Sequence, residues 1–243
     1  MNNIDERIKN MEYVKLNNGV EMPIIGFGVF EIPAEHTAQC VYDAIECGYR
    51  LIDTLRKLKT DYLDLVLIHQ CLSDYYGAYH ALESLYDEGK IRAIGVSNFS
   101  AERMADIATF NRIAPAVNQV ETHLFWQQYN LHEWMVKYNI QHEAWGPLAQ
   151  HRLKEVLENP VVKQIADAHG KTPAQVALRQ HIQRGIVVIP KSVHKERMKQ
   201  NMDIFDFKLT DNEMEQLKML DENKSMWAEY DDPMIVQYAM AEE

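Results

Sequence analysis

The chain has 243 residues, of which 47% are hydrophobic, 25% charged and 9% aromatic. That mixture builds a packed core and excludes a disordered or fibrous protein. Asp and Glu total 36 against 25 Lys and Arg, a formal charge of -11, which excludes general binding of nucleic acid or of an anionic membrane surface. No run reaches the ~20 apolar residues of a spanning helix. The polar start Met1 to Asn10 carries Asp5 and Glu6 and does not have the form of a signal peptide. Cys40, Cys47 and Cys71 form no CxxC motif and no even disulfide framework, so a reducing cytoplasm is the expected compartment. His132-Glu133 and His142-Glu143 open like a zinc HExxH motif, but Val136 and Gly146 stand where the second histidine belongs. No metal site is expected.

In chain order, Tyr13 to Met22 predicts a hairpin turning at Asn18-Gly19. Ile24 to Gly28 predicts a short apolar strand, and Ala34 to Gly48 a helix with Ala38, Val41, Ala44 and Ile45 on one face and Gly48 as its stop. Strands are expected at Arg50 to Asp53, Tyr62 to Ile68, Ile91 to Val96, Pro115 to Val120, Ile140 to Ala144 and Ile186 to Ile189. Helices are expected at Tyr76 to Glu88, Ala101 to Phe110, Gln127 to Tyr138, Val161 to His169, Thr172 to Arg184 and Lys195 to Asn201. Thr172-Pro173-Ala174-Gln175 and Thr210-Asp211-Asn212-Glu213 have the form of capping boxes, the second opening the last helix. From Asn223 to Glu243 the pattern is acidic and irregular.

Strand and helix alternate without a break in composition, which predicts one parallel α/β domain over residues 1–243. Two folds of that class compete. A doubly wound nucleotide fold needs G-x-G-x-x-G after its first strand, but Gly26-Phe27-Gly28-Val29-Phe30-Glu31 ends in glutamate. A barrel is therefore preferred, with its chemistry on the loops after the strands. Polar residues stand at six such places: Asp53, His69 with Gln70, Ser97 with Asn98, Gln119 with Glu121, His142 with Glu143, and Lys191 with Ser192.

These segments resemble the aldo-keto reductases, in particular the bacterial branch with the 2,5-diketo-gluconate reductases and prostaglandin F synthase-like enzymes. The resemblance spans nearly the whole chain. It is carried by Gly26-Phe27-Gly28-Val29-Phe30, Gly48-Tyr49-Arg50-Leu51-Ile52-Asp53-Thr54, Asp61 to Leu65 with Ile68-His69-Gln70, Gly89 to Phe99, Asn118-Gln119-Val120-Glu121, Trp145-Gly146-Pro147-Leu148 and Ile189-Pro190-Lys191-Ser192. It implies a (β/α)8 TIM barrel that binds NADP(H), reduces small aldehydes or ketones by hydride transfer, and is by default a monomer. Ser97, Asn98 and Gln119 would hold the nicotinamide carboxamide, and Trp145, with Gly146 and Leu148 after it, would stack on the ring. Lys191, Ser192, Val193, Arg197, Gln200 and Asn201 would hold the adenosine end, the two cations favouring a 2′-phosphate. Asp53 and His69 match two catalytic positions, the histidine orienting the carbonyl. Phe30, Phe125 and Trp126 would line the substrate pocket.

The chain also departs from the family. The proton-donating tyrosine, expected shortly after Asp53, and the lysine that ends the third barrel strand are both absent. Asp53-Thr54 runs into Leu55 to Tyr62, which resembles the turn before the fourth strand. Parallel neighbours need a crossover of about a dozen or more residues. Thr54 to Asp61 is too short to return and also build a covering helix, and the strands number seven. The expected fold is thus an aldo-keto reductase barrel lacking its third strand and adjoining helices. Lys57, Lys59, Tyr75 and Tyr76 have ordinary readings as surface lysines and loop aromatics. The alternative function is a catalytically impaired, NADP(H)-binding pseudoenzyme.

Overall fold

The structure is a computed structural model that describes residues 11–30, 32–53 and 62–227, with Met234 and Val236. Readings that fall on Thr54, Lys57, Lys59 and most of the C-terminal tail lie outside the described residues.

A hairpin of β1 (Tyr13–Lys15) and β2 (Glu21–Pro23) opens the chain. Its turn needs Gly19, whose φ is 86°, a value that costs glycine nothing. Asn17 and Asn18 side chains donate to Pro115 O and Arg92 O, each at 2.8 Å. Both carbonyls precede strands of the main sheet. The hairpin therefore closes the N-terminal end of the barrel and leaves the opposite end for chemistry.

β3 (Phe27–Gly28) pairs in parallel with β4 (Ile52–Asp53). A second parallel sheet holds β5 (Val66–Ile68), β6 (Ile94–Ser97), β7 (Val117–Glu121), β8 (Gln141–Trp145) and β9 (Val187–Val188) in chain order. The two sheets join because Ile25 bridges Val188 and Gly28 N–H donates to Pro190 O at 3.3 Å. Gly28 permits this approach, since a Cβ there would lie 2.7 Å from Ile189 O. The spatial order is β4-β3-β9-β8-β7-β6-β5. Among the described residues these match the seven parallel strands expected from the sequence, all but β8 shorter than the expected run. Among the described residues β4 and β5 do not pair with each other. Val66 to Ile68 are accordingly half-buried, whereas β6, β7 and β9 are fully buried.

Helices cover the outside. α1 (Ala34–Cys47) ends at Gly48, whose φ is 109°. α2 (Tyr75–Asp87) starts where Asp74 accepts from Gly77 N–H, and α3 (Ala101–Phe110) and α4 (Tyr129–Tyr138) follow β6 and β7. Three helices follow β8: α5 (Leu153–Glu158), α6 (Pro160–His169) and α7 (Pro173–Gln183). α8 (Lys195–Met202) and α9 (Asp211–Lys218) follow. Both expected capping boxes are formed, on Thr172 with Gln175 and on Thr210 with Glu213. α5 had no counterpart in the sequence reading. Tyr49, fully buried, donates its hydroxyl to Met198 O at 3.1 Å and ties the start of the β4 segment to α8. Among the described residues no helix is long and apolar enough to cross a membrane.

Candidate active site

Strand register brings several of the polar strand-end residues together. Ser97 lies opposite Gln119, Gln119 opposite Glu143, and Glu121 opposite Trp145. Side-chain bonds then lock them. Ser97 Oγ donates to Gln119 O at 2.9 Å, and Gln119 Nε2 to Glu143 Oε1 at 2.6 Å. Trp145 Nε1 donates to Asn98 Oδ1 at 2.8 Å, while Asn98 Nδ2 donates to the His69 carbonyl at 3.1 Å. Asn98 sits at φ 62°, a left-handed conformation that asparagine tolerates better than most residues. One connected chain of bonds thus runs from the residue expected to stack on a nicotinamide to the residue expected to orient a carbonyl. His69 itself is exposed. Asp53 ends β4 opposite Gly28, in a different sheet from the strand that leads to His69.

The basic run after β9 sorts itself. Lys195 pairs with Asp43 at 3.3 Å and Glu46 at 2.5 Å, and Lys199 with Glu196 at 2.6 Å. Lys191 and Arg197 are exposed and make no ion pair among the described residues. In a chain of charge -11, two exposed cations without carboxylates beside a buried Ser192 fit an anionic ligand. Ser192 Oγ accepts from His194 N–H at 3.1 Å and shapes the turn into α8. Val193 and Gln200 are exposed. Asn201 is 5% exposed and bonds the Tyr49 hydroxyl, so its side chain already has a structural partner.

Several expectations need correction. His142 does not face the mouth. It stands near the start of β8 and points outward, with Nε2 2.7 Å from Thr122 Oγ1 and Nδ1 3.1 Å from His132 Nδ1 on α4. Strand alternation sends it out and Glu143 in. Phe125 is 4% exposed and lies under the Arg152 guanidinium, 4.3 Å from its ring centroid. Its ring is therefore covered by Arg152 and by the core cluster it belongs to. Trp126 is half-buried, and Phe30, 54% exposed, is free to meet a ligand. Gly146 takes φ 61° at the exit of β8, and Leu148 packs into the core. Tyr76 donates to Asp106 Oδ2 at 2.6 Å, and that bond, with burial second, pushes its pKa up to about 12. Tyr75 packs edge-on against Phe99. Both rings are thus engaged, Tyr76 by a hydrogen bond and Tyr75 by packing. Among the described residues no cluster of His, Cys, Asp or Glu could hold a metal.

Parallel strands with helices outside, amides near the strand ends and two unpaired cations after the last strand define an α/β protein of barrel type. Comparison with known proteins narrows it. The model of the Aldo/keto reductase family matches residues 50–222, and the chain belongs to that family, whose fold is the (β/α)8 barrel. An aldo-keto reductase of Mycolicibacterium smegmatis is 36% identical over 263 aligned positions, which cover 88% of this chain and 94% of that protein. A glyoxal reductase of Bacillus subtilis is 38% identical, covering 87% and 93%. Among solved structures, the aldo-keto reductase MGS-M4 from a deep-sea metagenome library superposes with a TM-score of 0.85 at 37% identity, over 90% of this chain and 98% of that one. A mutant of Gox0644 in complex with NADPH gives 0.83 at 32% identity, over 90% and 97%.

Proposed function

We propose that this protein is an NADP(H)-dependent oxidoreductase that reduces small aldehydes or ketones to alcohols by hydride transfer. The observation that carries the reading is the bonded set Ser97, Asn98, Gln119, Trp145 and the His69 carbonyl at adjoining strand ends, with Lys191 and Arg197 unpaired after the last strand. Ser97, Asn98 and Gln119 hold the carboxamide, and Trp145, fixed by its indole N–H, presents its ring to the nicotinamide. Lys191 and Arg197 take the 2′-phosphate, beside Ser192, Val193, Gln200 and Asn201. NADPH, when bound, supplies the hydride. His69, exposed at its strand end, orients the carbonyl, and Phe30 borders the substrate. Relatives named for glyoxal and methylglyoxal reduction support small dicarbonyls as the first substrates to try.

We infer further that a βα unit is lacking between β4 and β5. The 263 aligned positions of the M. smegmatis relative exceed the 88% of 243 residues that they cover. Roughly 50 positions therefore hold residues of the relative alone, more than the ~30 of a βαβ unit. With no tyrosine in place, the proton reaches the alkoxide from water in the mouth, at a cost of ~10²–10⁴ in rate. Titration with NADPH and NADH, followed by NADPH oxidation with glyoxal, tests the reading. Slow turnover with a preference for NADPH is expected. Absence of NADPH binding would sink it.

A further inference from the structure

Glu121 is the last residue of β7, 2% exposed, and its carboxylate is fully engaged. Oε1 accepts from His123 Nε2 at 2.9 Å and from Met226 N–H at 2.8 Å, and Oε2 accepts from Ser225 Oγ at 2.6 Å. His123 Nδ1 accepts from Phe125 N–H at 3.2 Å. The histidine proton therefore sits on Nε2 and faces the carboxylate, so a neutral imidazole completes the arrangement. A strand end on the catalytic face thus holds, across about a hundred residues of sequence, the segment that follows α9.

That segment has weaker ties. Glu222 N–H donates to Phe125 O at 2.9 Å, Arg152 meets Glu222 at 2.7 and 2.8 Å, and Trp227 Nε1 donates to Gln150 Oε1 at 3.2 Å. The Arg152 and Glu222 side chains are 26% and 46% exposed, and ion pairs so placed contribute little. Hydrogen bonds to a buried charge contribute more, and removing the acceptor leaves buried donors unsatisfied. Between the segment and the loop after β8 lies a cavity of about 280 Å³, lined by His151, Arg152, Glu222, Lys224, Ser225 and Met226. Two of the six lining residues are the ones Glu121 grips. Trp227, 49% exposed, stands beside this cavity.

We propose that Glu121 is a positioning residue for carbonyl reduction. It fixes residues 222–227 across the loops that follow β7 and β8 and so sets the shape of the substrate end of the mouth. The role in reduction rests on the reductase reading above, but the anchoring does not. Three acceptor contacts are what matter. A glutamine keeps two of them if its oxygen faces His123 and Met226, and its amide donates to Ser225 Oγ in place of the third. An alanine loses all three.

Trypsin cleavage after Lys224, followed by mass spectrometry, reports release of the segment. Glu121→Ala is expected to speed that cleavage by roughly tenfold or more, the effect of losing one hydrogen bond to a charged acceptor, with Glu121→Gln close to the native rate. Met226→Pro removes the N–H donor, together with a side chain packed against the Leu124 and Phe125 cluster, while leaving Glu121 in place; it is expected to act in the same direction, which keeps the test decisive if Glu121→Ala fails to fold. In the reaction, release raises KM for the carbonyl roughly tenfold, leaves kcat nearly unchanged, and leaves the NADPH Kd as it was. Native-rate cleavage in both Glu121→Ala and Met226→Pro overturns the anchor. Faster cleavage with an unchanged KM overturns the positioning role. A native protein without turnover sinks the reductase reading and the role in reduction with it, while the cleavage rates still decide whether Glu121 anchors the segment.

Discussion

Acid should loosen this protein through histidines that the active site does not use. His142 is 1% exposed and bonded to Thr122 and His132. Its pKa is held well below the usual 6.5, chiefly by burial and then by the charges of His132, Arg184 and His181. Burial, with Arg184 second, pushes His132 down to about 4. Unfolding returns both rings to about 6.5, so between these values the unfolded chain binds more protons and stability rises with pH. The contribution is complete above about pH 6.5 and is lost as pH falls toward about 4. One pKa unit corresponds to 1.36 kcal/mol, which gives His132 about 2 kcal/mol between about pH 6.5 and pH 5. His132 is only partly buried, and screening by solvent brings this to about 1 kcal/mol. His132→Asn places an amide where Nδ1 stands, keeps the bond to His142 and removes the titration. Melting at about pH 7 and pH 5 should show native protein losing about 2–4 °C more than the variant, the shift that 1 kcal/mol produces in a chain of this length. Equal losses would refute the reasoning.

Three further expectations follow from the site and the sheet. Lys191→Ala or Arg197→Ala should weaken NADPH by roughly tenfold or more and leave NADH nearly unchanged, because each removes one charge-assisted contact to a phosphate; equal effects in parallel titrations would refute the 2′-phosphate assignment. His69→Ala should lower carbonyl turnover and barely change the NADPH Kd, since among the described residues it joins the cofactor-side set through its backbone carbonyl; weaker NADPH binding would contradict this. Gly95→Ala should destabilise the barrel by about 1–3 kcal/mol through overpacking, because the added Cβ would meet Leu67 Cδ2 at 2.3 Å and Val117 O at 3.0 Å; an unchanged urea midpoint would count against the β5–β6–β7 packing.

The strand–helix alternation was legible because buried parallel strands are continuous apolar runs and because Gly48 and Gly170 stop their helices in left-handed conformations. The helix α5 was not. Its six residues bury only Val156 and follow Arg152, which makes no side-chain cap, so neither periodicity nor a start signal marks it. Ser97, Asn98, Gln119 and Lys191 could be picked out as polar residues near strand ends, Ser97 closing β6 and Gln119 lying inside β7. Their connections could not: Trp145 and Asn98 are 47 residues apart, and Ser225 and Glu121 are 104 apart. Glu121 was visible as a polar strand end, but what it holds depends on a segment without local pattern. His142 and Phe125 were misplaced for a related reason. Which face a strand residue takes, and whether an arginine covers an aromatic ring, are settled by tertiary packing.

Hydride transfer from NADPH to a carbonyl leaves a label that can be followed. Incubation with NADPH carrying deuterium on the transferable position, with glyoxal as acceptor, followed by mass spectrometry of the alcohol, tests it most directly. The account predicts one deuterium in the product, formed slowly and lost when Asn98 or Gln119 is replaced by alanine. Bound NADPH with no labelled alcohol would contradict it.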